Sequence, residues 1–320
     1  MKKKTGILIL LMLIAGLIGA FLIWGINRGN GREEGGQGAK LRLVTSFYPT
    51  YIIALNITDQ IPELKVDSLT DFSAGCLHDY QLTTGDMRLL SDADLFLMNG
   101  GGMEDYIGDV IRNYPQLPMV NISEGIDMLE SNEHVGEANP HVWLDPIRYI
   151  EQISQMKEGL ISYLFGQEKL SADEREDIIQ RITENATKYI LQVKELEQEL
   201  QSLTLRLQTE GKQAEVIIFH ETFAYLADRV GLSIARTVEM DDEEALSAAE
   251  IADIITEVKS GQIGYLFTEA QYGASVTDRI VEETSAKAYV IDSAVTGDGS
   301  KDSYLNSMRK NLQTLQTAFQ

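Results

Sequence analysis

Apolar and polar positions divide the chain into one long apolar run, two sets of short β-rich runs and an amphipathic stretch between those sets. Strands are predicted at residues 41–47, 64–69, 94–99, 118–121, 215–219, 233–238, 264–267 and 288–291. Amphipathic segments separate these runs, and short strands that alternate with helices are typical of parallel sheets covered by helices. We therefore predict an α/β fold with two similar lobes, each built on a four-stranded, mostly parallel sheet flanked by helices.

The stretch between the two sets of strands has the pattern of a helix. Residues 172–208 contain no proline or glycine, and apolar residues recur at near-heptad spacing from Ile179 to Leu207. This predicts one long, rigid helix of about 50 Å between an N-terminal lobe (41–171) and a C-terminal lobe (209–320). A coiled-coil dimer is the alternative, but the pattern is short and mixed in phase, so we expect a monomer.

The first 40 residues have the pattern of a membrane anchor or signal segment. Lys2, Lys3 and Lys4 precede an apolar run from Gly6 to Ile26, which is about as long as a bilayer core is thick. Positive charge before such a run keeps that end in the cytoplasm and places the body outside. We predict an uncleaved anchor followed by a Gly-rich tether within residues 1–40, with a cleaved signal peptide as the alternative.

Composition narrows the classes of partner and site. The net charge of −22 leaves no basic surface for phosphate groups, so nucleic acid is excluded as a partner. Hydrophobic residues make up 44% of the chain and charged residues 24%, as in a soluble globular body. The single cysteine, Cys76, excludes an internal disulfide and a structural zinc site made of several cysteines.

Three of the four histidines follow the ends of predicted strands. His78 follows the second strand, His141 follows the fourth through a longer loop, and His220 directly follows the fifth. Asp292 occupies the same kind of position after the last strand. Ligands of open α/β sheets bind beyond the carboxyl ends of the strands, so these four side chains are expected to meet in a cleft between the lobes.

The chemistry of this set favours metal binding over catalysis. Imidazole and carboxylate groups suit Zn²⁺, and four protein ligands close the coordination shell that a catalytic zinc leaves open for water. The dipeptide His220-Glu221 resembles the start of a metalloprotease motif, but Ala224 stands where the second histidine is needed. We therefore predict a binding protein and not an enzyme.

Three other residues remain alternatives within this site. Glu269, which follows the seventh strand, rivals Asp292 as the carboxylate ligand. Cys76 lies two residues before His78 and offers a thiolate, although an ordinary loop role is the simpler interpretation. His134 lies in an acidic loop, where it is either solvated or a transient metal ligand.

At these residues the sequence resembles the zinc/manganese ABC-transporter solute-binding family, from about Leu41 to the end. The matching segments are Asn139-Pro140-His141-Val142-Trp143-Leu144-Asp145-Pro146, His78-Asp79-Tyr80 with Thr83 and Asp86, Phe219-His220 with Phe223 and Tyr225, and Val290-Ile291-Asp292 with Asp302 and Tyr304. The first loop departs from the family, with Leu77 and Thr84 where prolines are common. No lipidation cysteine follows the N-terminal apolar run, and no long His-rich loop is present.

The resemblance implies two α/β lobes joined by a long helix, with His78, His141, His220 and Asp292 as the metal ligands. A histidine at the third position implies zinc over manganese, which agrees with the softer character of imidazole. The implied function is capture of Zn²⁺ at the outer face of the bacterial cytoplasmic membrane and delivery to an ABC-transporter permease. A manganese-binding protein of the same kind, a metal-stabilised surface adhesin and a zinc-dependent surface enzyme are the alternatives.

Overall fold

The computed structural model describes residues 38–77, 80–132, 136–212, 214–238, 246–261, 263–269 and 274–320. It contains strands at all eight predicted places, each within two residues of the predicted bounds. The strands are β1 (Leu41–Thr45), β2 (Leu64–Ser68), β3 (Leu95–Met98), β4 (Met119–Asn121), β5 (Glu215–Ile218), β6 (Ser233–Thr237), β7 (Tyr265–Thr268) and β8 (Lys287–Val290).

The eight strands form two sheets with the same topology. The first sheet has the order β2-β1-β3-β4 and the second has the order β6-β5-β7-β8. Every neighbouring pair is parallel. In each sheet the carboxyl ends of the four strands therefore lie on the same side. The predicted fold class is confirmed.

Helices cover both sheets, as parallel strands require. They are α1 (Tyr48–Ile57), α2 (Thr84–Ser91), α3 (Ile107–Asn113), α4 (Pro146–Phe165), α5 (Ala172–Glu210), α6 (Ala224–Val230), α7 (Ala248–Gly261), α8 (Ala274–Glu283) and α9 (Ser303–Ala318). Within the described ranges, none of these helices is both long and apolar enough to cross a membrane. The predicted anchor at residues 6–26 lies outside the described residues.

Helix α5 is the long linker, and its sequence sets both of its ends. Ser171 caps the N-terminus, where its hydroxyl accepts from the backbone of Glu174 and the Glu174 carboxylate accepts from the backbone of Ser171. Gly211 ends the helix in the left-handed conformation, with φ of 63°. The 39 residues between them span about 58 Å.

The buried face of α5 packs against both halves of the protein. It contacts α1 and α4 on the side of the first sheet and α6 on the side of the second. Helix α9, at the end of the chain, also packs on α5 and on α1. Contacts therefore join Lys40–Gln320 into one compact unit, and the predicted division into lobes at 41–171 and 209–320 stays a prediction.

The hydrophobic core is divided unequally between the two sheets. One large cluster contains the residues around the first sheet, the buried face of α5 and the side of the second sheet that faces α6 and α9. A smaller cluster lies on the opposite side of the second sheet, among residues of β5, β7, α7 and α8.

Candidate metal site

The candidate site lies beyond the carboxyl ends of the strands. Cys76 follows β2, His141 follows β4 and immediately precedes a 3₁₀ turn (Val142–Leu144), and His220 lies between β5 and a second 3₁₀ turn (Glu221–Phe223). Each lies in the chain after a strand of one of the two parallel sheets, and the fold brings these segments from both sheets to one place.

Three side chains meet there. One ligand atom each from Cys76, His141 and His220 lies within 4.8 Å of the other two. The Sγ atom of Cys76 is 3.7 Å from Nε2 of His141, and the rings of His141 and His220 have centroids 5.0 Å apart. Within the described ranges, this is the one cluster of three or more such residues that could hold a metal ion.

His141 is fully buried, and its orientation is set by Asn139. The Asn139 side-chain oxygen lies 2.9 Å from Nδ1 of His141 and 3.0 Å from its backbone nitrogen. An amide oxygen only accepts hydrogen bonds, so Nδ1 is the protonated nitrogen and donates to it. The Nε2 lone pair is then directed towards the cluster, as metal binding requires.

His220 is oriented in the same way by a carboxylate. Oε1 of Glu269 lies 2.9 Å from Nδ1 of His220, while Oε2 accepts from the hydroxyl of Ser293 at 3.2 Å. Glu269 is almost fully buried, whereas the His220 side chain keeps 18% of its surface exposed. A carboxylate that accepts from the outer nitrogen of a histidine fixes the ring and increases its basicity as a metal ligand.

The loop that carries His141 is fastened to the second half of the chain by Glu221 and Tyr225. The Glu221 carboxylate accepts from Ser131 at 2.9 Å and from the backbone of Asn132 at 3.0 Å. The Tyr225 hydroxyl donates to the Asn139 carbonyl at 2.6 Å and accepts from the backbone of Leu129 at 3.0 Å. Burial raises the pKa of Tyr225 to about 12, so its hydroxyl keeps the proton that it donates.

A buried ion-pair network lies behind the same loop. Asp145 is fully buried and caps α4 by accepting from the backbone of Ile147. Its two oxygens also accept from Arg229 of α6 at 2.9 and 2.6 Å, and Arg148 pairs with the same carboxylate. Burial acts to lower the pKa of Arg229, but the hydrogen bonds and charge of Asp145, together with the charges of Glu197 and Asp228, raise that pKa above its usual value.

Asp292, the predicted carboxylate ligand, is not part of the three-residue cluster. Its Oδ1 accepts from the backbone of Ala294 at 2.9 Å and its Oδ2 accepts from the hydroxyl of Ser307 at 3.1 Å. Asn311 bonds to both backbone groups of the same residue. Asp292 is therefore held by its own lobe, at the end of β8.

Two predicted residues, His78 and His134, lie outside the described residues. The described part of the first loop ends in a cap: Asp86 accepts from the hydroxyls of Tyr80 and Thr83 and from the backbone of Thr83. These bonds fix the loop to the start of α2. The structure thus brings together His141 and His220 of the predicted set, and adds Cys76 from the alternatives.

Sequence reasoning missed the supporting residues Asn139 and Arg229 and the contact role of Glu221. Asn139 stands two residues before His141, the spacing at which an asparagine side chain bonds to nearby backbone groups. That spacing is a usable signal. No comparable signal links Arg229 to Asp145, because 84 residues separate them in the chain.

Comparison with known proteins gives the family directly. The family described as "ZnuA: Zinc-uptake complex component A periplasmic" matches residues 43–318. The high-affinity zinc uptake system protein ZnuA of Bacillus subtilis is 27% identical over 311 residues, covering 90% of this chain and 91% of that protein. The zinc-binding protein AdcA of Streptococcus pyogenes serotype M1 is also 27% identical, and this chain spans 61% of its length.

Solved structures agree on the fold. The Zn(II)-bound ZnuA-like domain of AdcA from Streptococcus pneumoniae superposes with a TM-score of 0.71 at 22% identity, covering 88% of this chain and 99% of that domain. The matching family and the named Bacillus and Streptococcus relatives are zinc-uptake and zinc-binding proteins, so the prediction of a binding protein and not an enzyme is confirmed. Because the family match extends over most of the sequence, the chain belongs to the ZnuA family of zinc-uptake components.

Proposed function

We propose that this chain is the extracytoplasmic solute-binding protein of a metal ABC importer, which captures Zn²⁺ between its two lobes and delivers it to the membrane permease. The observation that carries the proposal is the meeting of His141 and His220. They come from different sheets, yet their ligand atoms lie within 4.8 Å of each other.

The hydrogen bonds of the two histidines support binding of a metal ion. Both rings donate from Nδ1 to a fixed acceptor, Asn139 in one case and Glu269 in the other. Both Nε2 atoms are therefore the ones presented to an ion. The rings are already held in the orientation that binding needs before an ion is present. Zn²⁺ bonds to histidine nitrogen at about 2.0–2.1 Å, which requires this kind of close approach.

The complete ligand set in the proposal is His78, His141, His220 and one negatively charged group, for which the sequence predicts Asp292. Four protein ligands would hold the ion as cargo, without an open position for reactive water. Asp292 would join the set by exchanging its bonds to Ser307 and Ala294 for a bond to the metal.

Zinc is proposed over manganese because nitrogen donors dominate the site. Imidazole suits Zn²⁺, whereas Mn²⁺ prefers carboxylate, carbonyl and water oxygens. The names of the Bacillus and Streptococcus relatives refer to zinc uptake and zinc binding. Manganese is kept as the rival cargo.

The position of the chain on the membrane is part of the proposal. The apolar run from Gly6 to Ile26 would hold the body at the outer face of the cytoplasmic membrane, with the Gly-rich stretch as a tether. A permease of the same importer would be the protein partner, and the body would act as a monomer.

Release of the ion would depend on local movement rather than on a wide hinge. Helix α5 is continuous across both halves and buried along one face, and Asp145 joins α4 to α6 through Arg229. Opening the lobes would break these contacts together. We expect the permease to displace a ligand loop, which costs fewer contacts.

Metal content and competitive titration of the purified full chain test the proposal. The wild type should retain one zinc per chain and prefer Zn²⁺ to Mn²⁺ in competition. His141→Ala should abolish tight binding while circular dichroism shows the same fold, and His134→Ala is the matched histidine control. Wild-type zinc affinity in His141→Ala would refute the site. The adhesin alternative would instead be supported by two results together: the protein unfolds when a chelator removes its metal, and cells without the protein take up zinc normally.

A further inference from the structure

The clearest feature that the proposed function does not use is the position of Cys76. Its Sγ atom belongs to the same cluster as the two histidines. The residue lies in the segment after β2, beyond the carboxyl ends of the strands of the first sheet, where the loop that carries His141 also lies. It is also the one cysteine of the chain, so any metal–thiolate signal from the protein would come from this residue.

The separation between Cys76 and His141 is that of two ligands on one zinc ion. With Zn–S of about 2.3 Å, Zn–N of about 2.0–2.1 Å and a tetrahedral angle, sulfur and nitrogen would lie about 3.6 Å apart. The observed distance between Sγ of Cys76 and Nε2 of His141 is 3.7 Å. This nitrogen is the one that the bond from Nδ1 to Asn139 leaves as the electron-pair donor.

The charge of the site leads to the same residue. Two neutral imidazoles contribute no negative charge for a divalent cation, and the carboxylate of Asp292 is held by Ser307 and Ala294 at the end of β8. Glu269 is occupied with His220 and Ser293. A thiolate at Cys76 would supply one negative charge directly at the cluster.

We propose that Cys76 is a metal ligand, binding as a thiolate beside His141 and His220, so that the cargo class is the thiophilic divalent ions. This inference rests on the proposed function, since it concerns the same ion. On binding, the thiol loses its proton to solvent and the sulfur lone pair forms the bond to the metal; no oxidation is involved. Sulfur and nitrogen donors favour Zn²⁺, Co²⁺ and Cd²⁺ over Mn²⁺.

The same 3.7 Å also fits a hydrogen bond in which the thiol donates to Nε2 of His141. That interpretation gives Cys76 no contact with the ion. The two can be separated because a cobalt–thiolate bond produces a strong charge-transfer absorption in the near ultraviolet, and a cobalt site of nitrogen and oxygen ligands does not.

The experiment is a Co²⁺ titration of the full chain in mild detergent, followed by displacement with Zn²⁺. We expect the wild type to show the charge-transfer band and one cobalt per chain. Cys76→Ser should lose the band while keeping the visible cobalt bands of the histidine site. Its zinc affinity should fall by about 100-fold or more, since even residues that only support ligands cost about 10- to 100-fold. Cys76→Ala is the second variant, and Asp292→Asn should keep the band.

The outcomes distinguish the inference from the proposed function. The thiolate ligand would be overturned, and the zinc-binding function kept, if the wild type binds one cobalt per chain without the charge-transfer band and His141→Ala loses this cobalt binding. The thiolate ligand is likewise overturned if Asp292→Asn loses zinc affinity and Cys76→Ser does not. No cobalt or zinc bound by the wild type would overturn both. The wild-type spectrum alone tests the inference even if the cysteine variants do not fold.

Discussion

Each lobe places one histidine beyond the carboxyl end of a strand, but the two histidines are supported differently. His141 is fully buried and bonds to the neutral amide of Asn139. His220 is 18% exposed on its side chain and bonds to the carboxylate of Glu269. Topology thus decides where each ligand lies, while local contacts decide how it is held. In the cluster, His141 is closed off from solvent, whereas His220 keeps part of its surface exposed.

The hydrophobic cores of the two lobes also differ: the first sheet lies in one shared core, and the second sheet is divided between two. The first sheet lies within the large cluster that also contains the buried face of α5. The second sheet shares that cluster on one side and has a small cluster of its own on the other. We therefore expect changes in the outer layer of the second lobe to affect the rest of the protein less than changes in the large cluster.

The first prediction, which has the largest expected effect, is that both histidines are needed for zinc binding despite these differences. Structural zinc sites bind with about 10–16 kcal/mol over four ligands, so loss of one ligand should cost about 3–4 kcal/mol, or roughly 100- to 1,000-fold in affinity. We expect His220→Ala to lose as much as His141→Ala in a competitive zinc titration. A loss confined to one of them would mean that a single lobe binds the ion.

The second prediction concerns the shared core. Leu196 of α5 is fully buried in the large cluster, so Leu196→Ala should lower the free energy of unfolding by about 3 kcal/mol. Leu205 lies on the same helix and is 58% exposed, so Leu205→Ala should change it by less than about 0.5 kcal/mol. Urea denaturation measures both values.

Hydrogen exchange extends this test to the two clusters. Leu196→Ala should reduce protection in both sheets, because the large cluster contacts both. Ile254 of α7 is equally buried but belongs to the small cluster, so Ile254→Ala should reduce protection mainly in α7, β7 and α8. Equal loss throughout the protein from both variants would show that the two clusters act as one.

Much of this organisation follows from local sequence patterns. The eight strands are short runs rich in β-forming residues, which makes their positions predictable. The inner strands β3, β5 and β7 are also nearly continuous in hydrophobicity, as burial in a parallel sheet requires. The linker helix is predictable for a similar reason, since its apolar spacing persists over 39 residues between a serine cap and a glycine end. Strand-end positions then identify His141 and His220.

The remaining details depend on contacts between distant segments. Asp145 looks like a simple helix cap in the sequence, and its pairing with Arg229 across 84 residues has no local signal. The choice among Cys76, Glu269 and Asp292 is of the same kind, because all three follow strands. What separates them is the side-chain partner, which only the packed structure provides.

The third prediction tests the contact that joins the lobes behind the site. Arg229→Ala removes two hydrogen bonds to the buried Asp145 carboxylate, which keeps Arg148. The free energy of unfolding should fall by about 2 kcal/mol, the usual value for hydrogen bonds to charged groups. The control is Arg279→Ala, whose ion pair with Glu283 is exposed and should contribute less than about 0.5 kcal/mol. Equal effects in urea denaturation would contradict a structural role for the Arg229 contact.

The smallest predicted effect concerns the one charged support of the site. Glu269→Gln keeps an oxygen that accepts from Nδ1 of His220 and an amide that can donate to Ser293, so the ring should stay in place. Only the charge is lost, and zinc affinity should fall by about 10-fold, the lower end of the range for residues that support a ligand. Glu283→Gln, on the exposed surface of α8, is the matched control. A loss as large as that of His220→Ala would show that Glu269 itself binds the metal, and the second lobe would then contribute a carboxylate ligand directly through β7.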